Sequence, residues 1–131
     1  MIANKTKLEK IAQTFAKEAL PKDTFLLHGD LGTGKTTFAQ AFIKTIYPNT
    51  VVTSPTFPIC HEYEKIVHYD LYRINFSEEL YHLDLEEHLN SRICLIEWPE
   101  RLGTLTPYNV YHIYFNQGTA PNNRNIFFEK F

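Results

Sequence analysis

The sequence predicts an α/β domain of three layers built on a mixed, partly antiparallel sheet. Three observations predict it. Helical and strand periodicities alternate through the first half of the 131 residues, and strand patterns dominate the end. Ile93-Cys94-Leu95-Ile96 is a continuous apolar run of the kind found in strands buried on both faces. Gly29-Asp30-Leu31-Gly32-Thr33-Gly34-Lys35-Thr36 is a glycine-rich segment lying where an apolar strand hands over to a helix.

The elements follow in order. Leu8, Ile11, Ala12, Phe15 and Ala19 form the stripe of an amphipathic helix, with Thr6-Lys7-Leu8-Glu9 as a capping box at its start. Pro21 and Asp23 break that pattern, and Thr24 to His28 is a short apolar strand. A second helix runs from Thr36 to Ile46 and stops at Tyr47-Pro48-Asn49. Thr50 to Thr53 is expected as a brief strand, closed by Ser54-Pro55. Phe57 to Tyr63 and Ile66 to Asp70 are strands joined tightly at Glu64-Lys65, which makes a hairpin and adds antiparallel character. Ser77-Glu78-Glu79 opens a helix toward Leu89, with a break near Asp84. Arg92 to Trp98 holds the buried strand, and Val110 to Phe115 with Asn125 to Glu129 close the sheet.

Composition bounds the function. Residues 1–131 make one domain of ordinary size, and 44% apolar content with ten Phe and eight Tyr supplies a core. A net charge of −2 argues against non-specific nucleic-acid binding, which runs on clustered Lys and Arg. Cys60 and Cys94 stand far apart in apolar runs, and two reduced thiols suit them better than one disulfide. No signal core follows Met1, and no apolar run reaches the roughly 20 residues that cross a bilayer, so a cytoplasmic protein without membrane contact is expected.

Gly29 to Thr36 fits G-x-x-x-x-G-K-[ST] without a mismatch, which sharpens the fold expectation to a P-loop NTPase-like domain. Each requirement has a reason. Glycines let backbone amides turn inward as a nest for phosphate oxygens. The helix beginning near Lys35 adds its free amides and dipole to the same anion. Lys35 can span the β- and γ-phosphates, and the Thr36 hydroxyl suits a Mg²⁺ that bridges them. No N-K-x-D element follows the loop to read guanine, so ATP and ADP are favoured over guanine nucleotides.

Hydrolysis also needs a metal-positioning acid and a group that orients water. Glu97 ends the buried strand and would face the crevice at the carboxyl edge of the sheet, with glutamate standing where aspartate is usual. Asp70 ends another apolar strand in His68-Tyr69-Asp70-Leu71-Tyr72-Arg73. It either orients water or a metal-bound ligand, with Arg73 holding the segment, or forms a plain surface salt bridge. Thr53-Ser54-Pro55-Thr56 is either a Ser-Pro turn or a loop that senses the γ-phosphate. The histidines show no spacing of a metal frame, and no G-x-S-x-G supports a serine nucleophile.

Four blocks in order carry a family resemblance: His28 to Thr37, Ser54-Pro55-Thr56-Phe57, His68 to Arg73, and Leu95-Ile96-Glu97-Trp98-Pro99-Glu100. Together with Glu78-Glu79-Leu80 they cover most of residues 6 to 107, and they resemble the TsaE family of bacterial tRNA threonylcarbamoyladenosine biosynthesis. The resemblance implies that Gly32, Thr33, Gly34, Lys35, Thr36 and Thr37 hold the nucleotide phosphates, and the loop motif adds Gly29 and Asp30 to the same cradle. It also implies Thr36 and Glu97 at the magnesium, Thr56 in a switch-like segment, Asp70 in hydrolysis and Trp98 beside the site. It further implies TsaB- and TsaD-like partners, with tRNA met only through the complex. Thr33 stands where alanine is commoner, the region after Ile46 lacks the family's Leu-Gly, and beyond Pro107 only the strand pattern matches. The alternatives are a small-molecule kinase, for which little chain remains to build a lid and acceptor pocket, and a non-catalytic module that uses nucleotide to order a docking surface.

Overall fold

The computed structural model describes residues 2–30, 32–52, 60–74, 77–117 and 124–130. Seven strands form one sheet: β1 (Ile2–Ala3), β2 (Asp23–His28), β3 (Cys60–Glu62), β4 (Ile66–Asp70), β5 (Ile93–Glu97), β6 (Asn109–Gln117) and β7 (Arg124–Lys130). Their spatial order is β1-β7-β6-β2-β5-β4-β3. The central strands β6, β2, β5 and β4 are parallel, whereas β3, β7 and β1 are antiparallel additions at the edges. The expected mixed sheet is therefore present, with its parallel part in the middle where both faces can be covered.

Helices α1 (Lys5–Glu18) and α2 (Lys35–Ile46) cover one face. Leu8, Ala12 and Ala16 of α1 recur every four residues and meet Phe38, Phe42 and Ile43 of α2 over Phe25, Leu27 and Leu95. Phe25, Phe38, Phe42 and Phe115 are at most 1% exposed, and burial of each contributes about 1.5–3 kcal/mol of transfer free energy. The opposite face is covered by the 3-10 helix Ser77–Leu83, by α3 (Leu85–Leu89) and by the 3-10 helix Pro99–Leu102. There Leu80, Leu85, Leu89 and Leu102 pack on Leu26, Val67, Tyr69, Cys94 and Ile96. These are the three layers.

The hairpin of β3 and β4 turns at Glu64-Lys65 as expected, closed by the Tyr63 N–H donating to the Ile66 carbonyl at 2.7 Å. The helical segment after Ser77 breaks at Asp84, whose φ of 52° ends the 3-10 turn before α3 begins. Three expectations need correction or extension. The cap of α1 is Asn4, not Thr6: its side chain accepts the Lys7 N–H at 2.9 Å, and pairing of Ala3 with Arg124 keeps the chain extended up to that residue. Thr50 to Val52 form no strand; the Thr50 N–H donates to the Tyr47 carbonyl, Lys44 holds the Thr50 carbonyl, and Val51 is 84% exposed. Strand β1 is an addition the sequence pattern did not suggest. Cys60 and Cys94 are free thiols, as expected, although Cys60 is only half-buried; burial pushes Cys60 up to about 11 and Cys94 up to about 12. Among the described residues no helix is long and apolar enough to cross a membrane.

Candidate functional site

Three chain segments meet at the carboxyl edge of the parallel strands. Strand β2 ends at His28 and leads into the glycine-rich loop; β4 ends at Asp70, and β5 ends at Glu97. Register places Glu97 directly opposite both Leu27 and Asp70, so the two acids form one row across adjacent strands. Helix α2 then begins immediately after the loop, at Lys35.

The loop is shaped by glycine where nothing else fits. Gly29 has φ 150°, and a Cβ there would lie 2.5 Å from the Phe115 carbonyl oxygen and 2.8 Å from Thr33 Oγ1. Gly34 has φ 106° and forms the N-cap of α2 without a side-chain hydrogen bond, so no capping side chain competes with an anion for the first amides of the helix. Thr33 is buried, and its hydroxyl donates to the Asp30 carbonyl at 2.7 Å, so threonine in place of the commoner alanine adds a cross-brace. Asp30 and Gly32 are exposed and Thr37 is half-buried in the first turn of α2.

Lys35 is only 4% exposed. Its ammonium donates to the Gly29 carbonyl and lies 3.7 Å from the centroid of the Trp98 ring. Burial pulls its pKa below the usual lysine range, against the carboxylates of Glu97, Asp70, Glu100 and Asp30 that push it up. Trp98 itself has φ 60°, a left-handed conformation rare for a bulky residue and costing about 1–3 kcal/mol. That turn lays the indole across the loop, where it also packs against Tyr72 at 4.9 Å between ring centres.

Glu97 is 2% exposed and fully engaged. Thr36 Oγ1 donates to its Oε1 at 3.0 Å, and His68 Nε2 lies 2.7 Å from its Oε2. Asp70 is half-buried, and one oxygen accepts the Tyr72 N–H at 3.1 Å. Burial raises its pKa above the usual aspartate value and the charge of Glu97 adds to this; the Tyr72 bond, His68 and Lys35 oppose it. Arg73 is exposed in the turn beyond. His28 closes β2 beside the loop and shares a 2.8 Å hydrogen bond with His112.

The structure thus gathers Gly29, Asp30, Gly32, Thr33, Gly34, Lys35, Thr36, Thr37, Asp70 and Glu97 at one edge. Leu31, Thr53-Ser54-Pro55 and Thr56 lie outside the described residues. Sequence reasoning missed the contact of His68 with Glu97 and the cation held under Trp98. Both depend on strand register and turn geometry, which no local pattern encodes.

Sheet order, the strand-to-helix loop and an acid on the neighbouring strand define the P-loop NTPase fold. The family model described as "Threonylcarbamoyl adenosine biosynthesis protein TsaE" matches residues 2–126, and the chain belongs to the TsaE family. A Rickettsia felis protein named tRNA threonylcarbamoyladenosine biosynthesis protein TsaE is 43% identical over 105 residues, covering 76% of this chain and 61% of that protein. The Bacillus subtilis protein of the same name is 38% identical over 100 residues, 72% of this chain and 62% of the relative. The aligned chain therefore spans about three fifths of these relatives' length. The crystal structure of Bacillus subtilis YdiB superposes with a TM-score of 0.72 and 28% identity, over 98% of this chain and 83% of that one.

Magnesium, which this fold family implies, can be tested against the residues present. Among the described residues no three His, Cys, Asp or Glu side chains converge on one point. A Mg²⁺ held together with a nucleotide would need only one or two protein oxygens, however. Thr36 Oγ1 and Glu97 Oε1, two hard oxygens 3.0 Å apart beside the loop, fit that demand.

Proposed function

We propose that the protein binds ATP with Mg²⁺ and hydrolyses it slowly, as a switch in the threonylcarbamoyl modification of tRNA adenosine in the anticodon loop. It acts there with TsaB- and TsaD-like partners and meets tRNA through the assembly. One observation carries the reading: the Thr36–Glu97 hydrogen bond ties the first turn of the phosphate loop's helix to the end of the buried strand. Loop and acid are therefore organised as one site rather than as two unrelated features.

The residues divide the work. Backbone amides from Gly29 to Thr37 hold the phosphates, and Lys35 turns from the Gly29 carbonyl toward the β- and γ-oxygens. Thr36 and Glu97 would hold the magnesium, which would supply positive charge beside the phosphates. Asp70, beside Glu97 and partly sheltered from water, orients the attacking water through the oxygen that does not accept the Tyr72 N–H. Trp98 covers the lysine and keeps bulk water from it.

Slow turnover follows from the arginines. Arg92 pairs with Glu62 near the amino end of β5, Arg101 donates to the Ile74 carbonyl, and Arg73 is exposed. Arg92 and Arg101 are thus engaged elsewhere in the fold, and we assign to a partner the arginine charge that speeds such hydrolysis. Phosphate release measured with and without TsaB- and TsaD-like proteins tests this. At least a tenfold stimulation of the intact protein is expected, and none of Lys35→Ala. Unchanged turnover with both partners present would remove the assembly from the account.

Asp70 offers a second check. An aspartate whose folded pKa lies above its unfolded value loses stability for the fold as pH rises through that interval and it ionises. At neutral pH the wild-type carboxylate therefore carries the full cost. Asp70→Asn keeps the oxygen that accepts the Tyr72 N–H, and is expected to melt above the wild type at pH 7 while turnover falls about tenfold or more. The gain in melting temperature should vanish toward pH 3. A variant less stable than wild type at pH 7 would contradict it.

A further inference from the structure

His68 has no part in the chemistry above, yet it touches the acid on which that chemistry depends. On β4 it sits opposite Leu95, which makes it the diagonal neighbour of Glu97 on the face of the sheet beneath α2. Its side chain is 0% exposed and that of Glu97 is 3% exposed. A carboxylate only accepts, so the proton lies on His68 Nε2, which donates to Glu97 Oε2 across 2.7 Å. The other oxygen, Oε1, accepts from Thr36. The two oxygens of one carboxylate are therefore distinguished: Oε2 is anchored backward into the sheet, and Oε1 is presented forward at the loop.

Packing alone does not explain a histidine here. Its Nδ1 is buried with no hydrogen-bond partner among the described residues. A leucine on this apolar face, opposite Leu95, would leave no polar atom unmet. The site keeps an imidazole despite that cost, and the one hydrogen bond it makes among the described residues goes to Glu97.

We propose that His68 is a positioning residue that fixes the rotation of the Glu97 carboxylate, so that Oε1 meets magnesium held with bound nucleotide. The inference rests on the ATP-binding reading above. Partners that orient metal-ligating side chains typically change metal affinity about 10- to 100-fold when removed. Binding of nucleotide without metal, which uses the loop amides and Lys35, does not pass through His68.

The test titrates Trp98, the protein's single tryptophan, by its fluorescence beside Lys35. ADP is added in EDTA, and Mg²⁺ is then titrated in at saturating ADP; wild type is compared with His68→Leu and His68→Gln. His68→Leu is expected to bind metal-free ADP within about twofold of wild type but to need at least tenfold more Mg²⁺. His68→Gln places an amide N–H near the position of Nε2 and should recover most of that loss. Should the leucine variant fail to fold by circular dichroism, His68→Asn takes its place: it is polar but too short to reach Oε2, and the same Mg²⁺ shift is expected. A folded leucine or asparagine variant with wild-type Mg²⁺ dependence would overturn the proposal, as would a glutamine variant as impaired as they are. A wild-type protein that fails to bind ADP even in EDTA would instead overturn the nucleotide reading, and the inference would fall with it.

Discussion

Glu97→Gln is expected to lower ATP turnover about 100-fold or more while leaving metal-free ADP binding within a few-fold of wild type. The side chain is isosteric, so the size of the effect comes from charge and from hydrogen-bond polarity. Glu97 accepts from Thr36 on one oxygen and from His68 on the other. An amide must turn its NH₂ toward one of these two donors, and it brings no negative charge to a divalent cation. Both consequences act on the metal and neither acts on the loop amides. Phosphate release in a coupled assay, beside ADP titration in EDTA, separates them. Loss of metal-free ADP binding in this variant would show that Glu97 shapes the loop itself.

Gly29→Ala should be strongly destabilising. A methyl at this position would sit 2.5 Å from a backbone oxygen of β6 and 3.2 Å from the Phe115 side chain, with φ at 150°. The obstacle is a strand rather than a flexible side chain, so either β6 moves from β2 or the loop changes shape. Overpacking and backbone strain together should cost about 3 kcal/mol or more, or roughly 10 °C in melting temperature for a domain of this size. Gly32 supplies the contrast: its φ is 74° and, among the described residues beyond its chain neighbours, no heavy atom lies within 4 Å of its would-be Cβ. Gly32→Ala should cost only about 1 kcal/mol. Thermal melts of both variants are the check, and equal losses would mean that the crowding at Gly29 is not what shapes the loop.

Much of this was legible before any coordinates. The run Ile93 to Ile96 marks a strand at the centre of the sheet because all four side chains are apolar, and all are buried. The phosphate loop is readable because its geometry demands particular residues at set spacing, which leaves a mark in sequence. Glu97 follows from being the first acid after a buried strand. Other features left no such mark. Strand β1 is two residues long and pairs with β7 from the far end of the chain, too short for any alternation to show. Thr50 to Val52 carry strand-like residues, but they are held as a turn by Tyr47 and Lys44. His68 and Glu97 stand 29 positions apart, and only the pairing of β4 with β5 makes them neighbours. Long-range register decided β1 and the His68–Glu97 contact, and side-chain and turn hydrogen bonds overrode strand propensity at Thr50 to Val52.

Main-chain amides and Lys35 are expected to grip a polyphosphate together. Calorimetric titration with ADP and Mg²⁺ addresses that directly. One saturable site per chain is expected for the intact protein, with affinity reduced at least tenfold in Lys35→Ala. An intact protein that takes up no nucleotide, or one that Lys35→Ala matches in affinity, would contradict it.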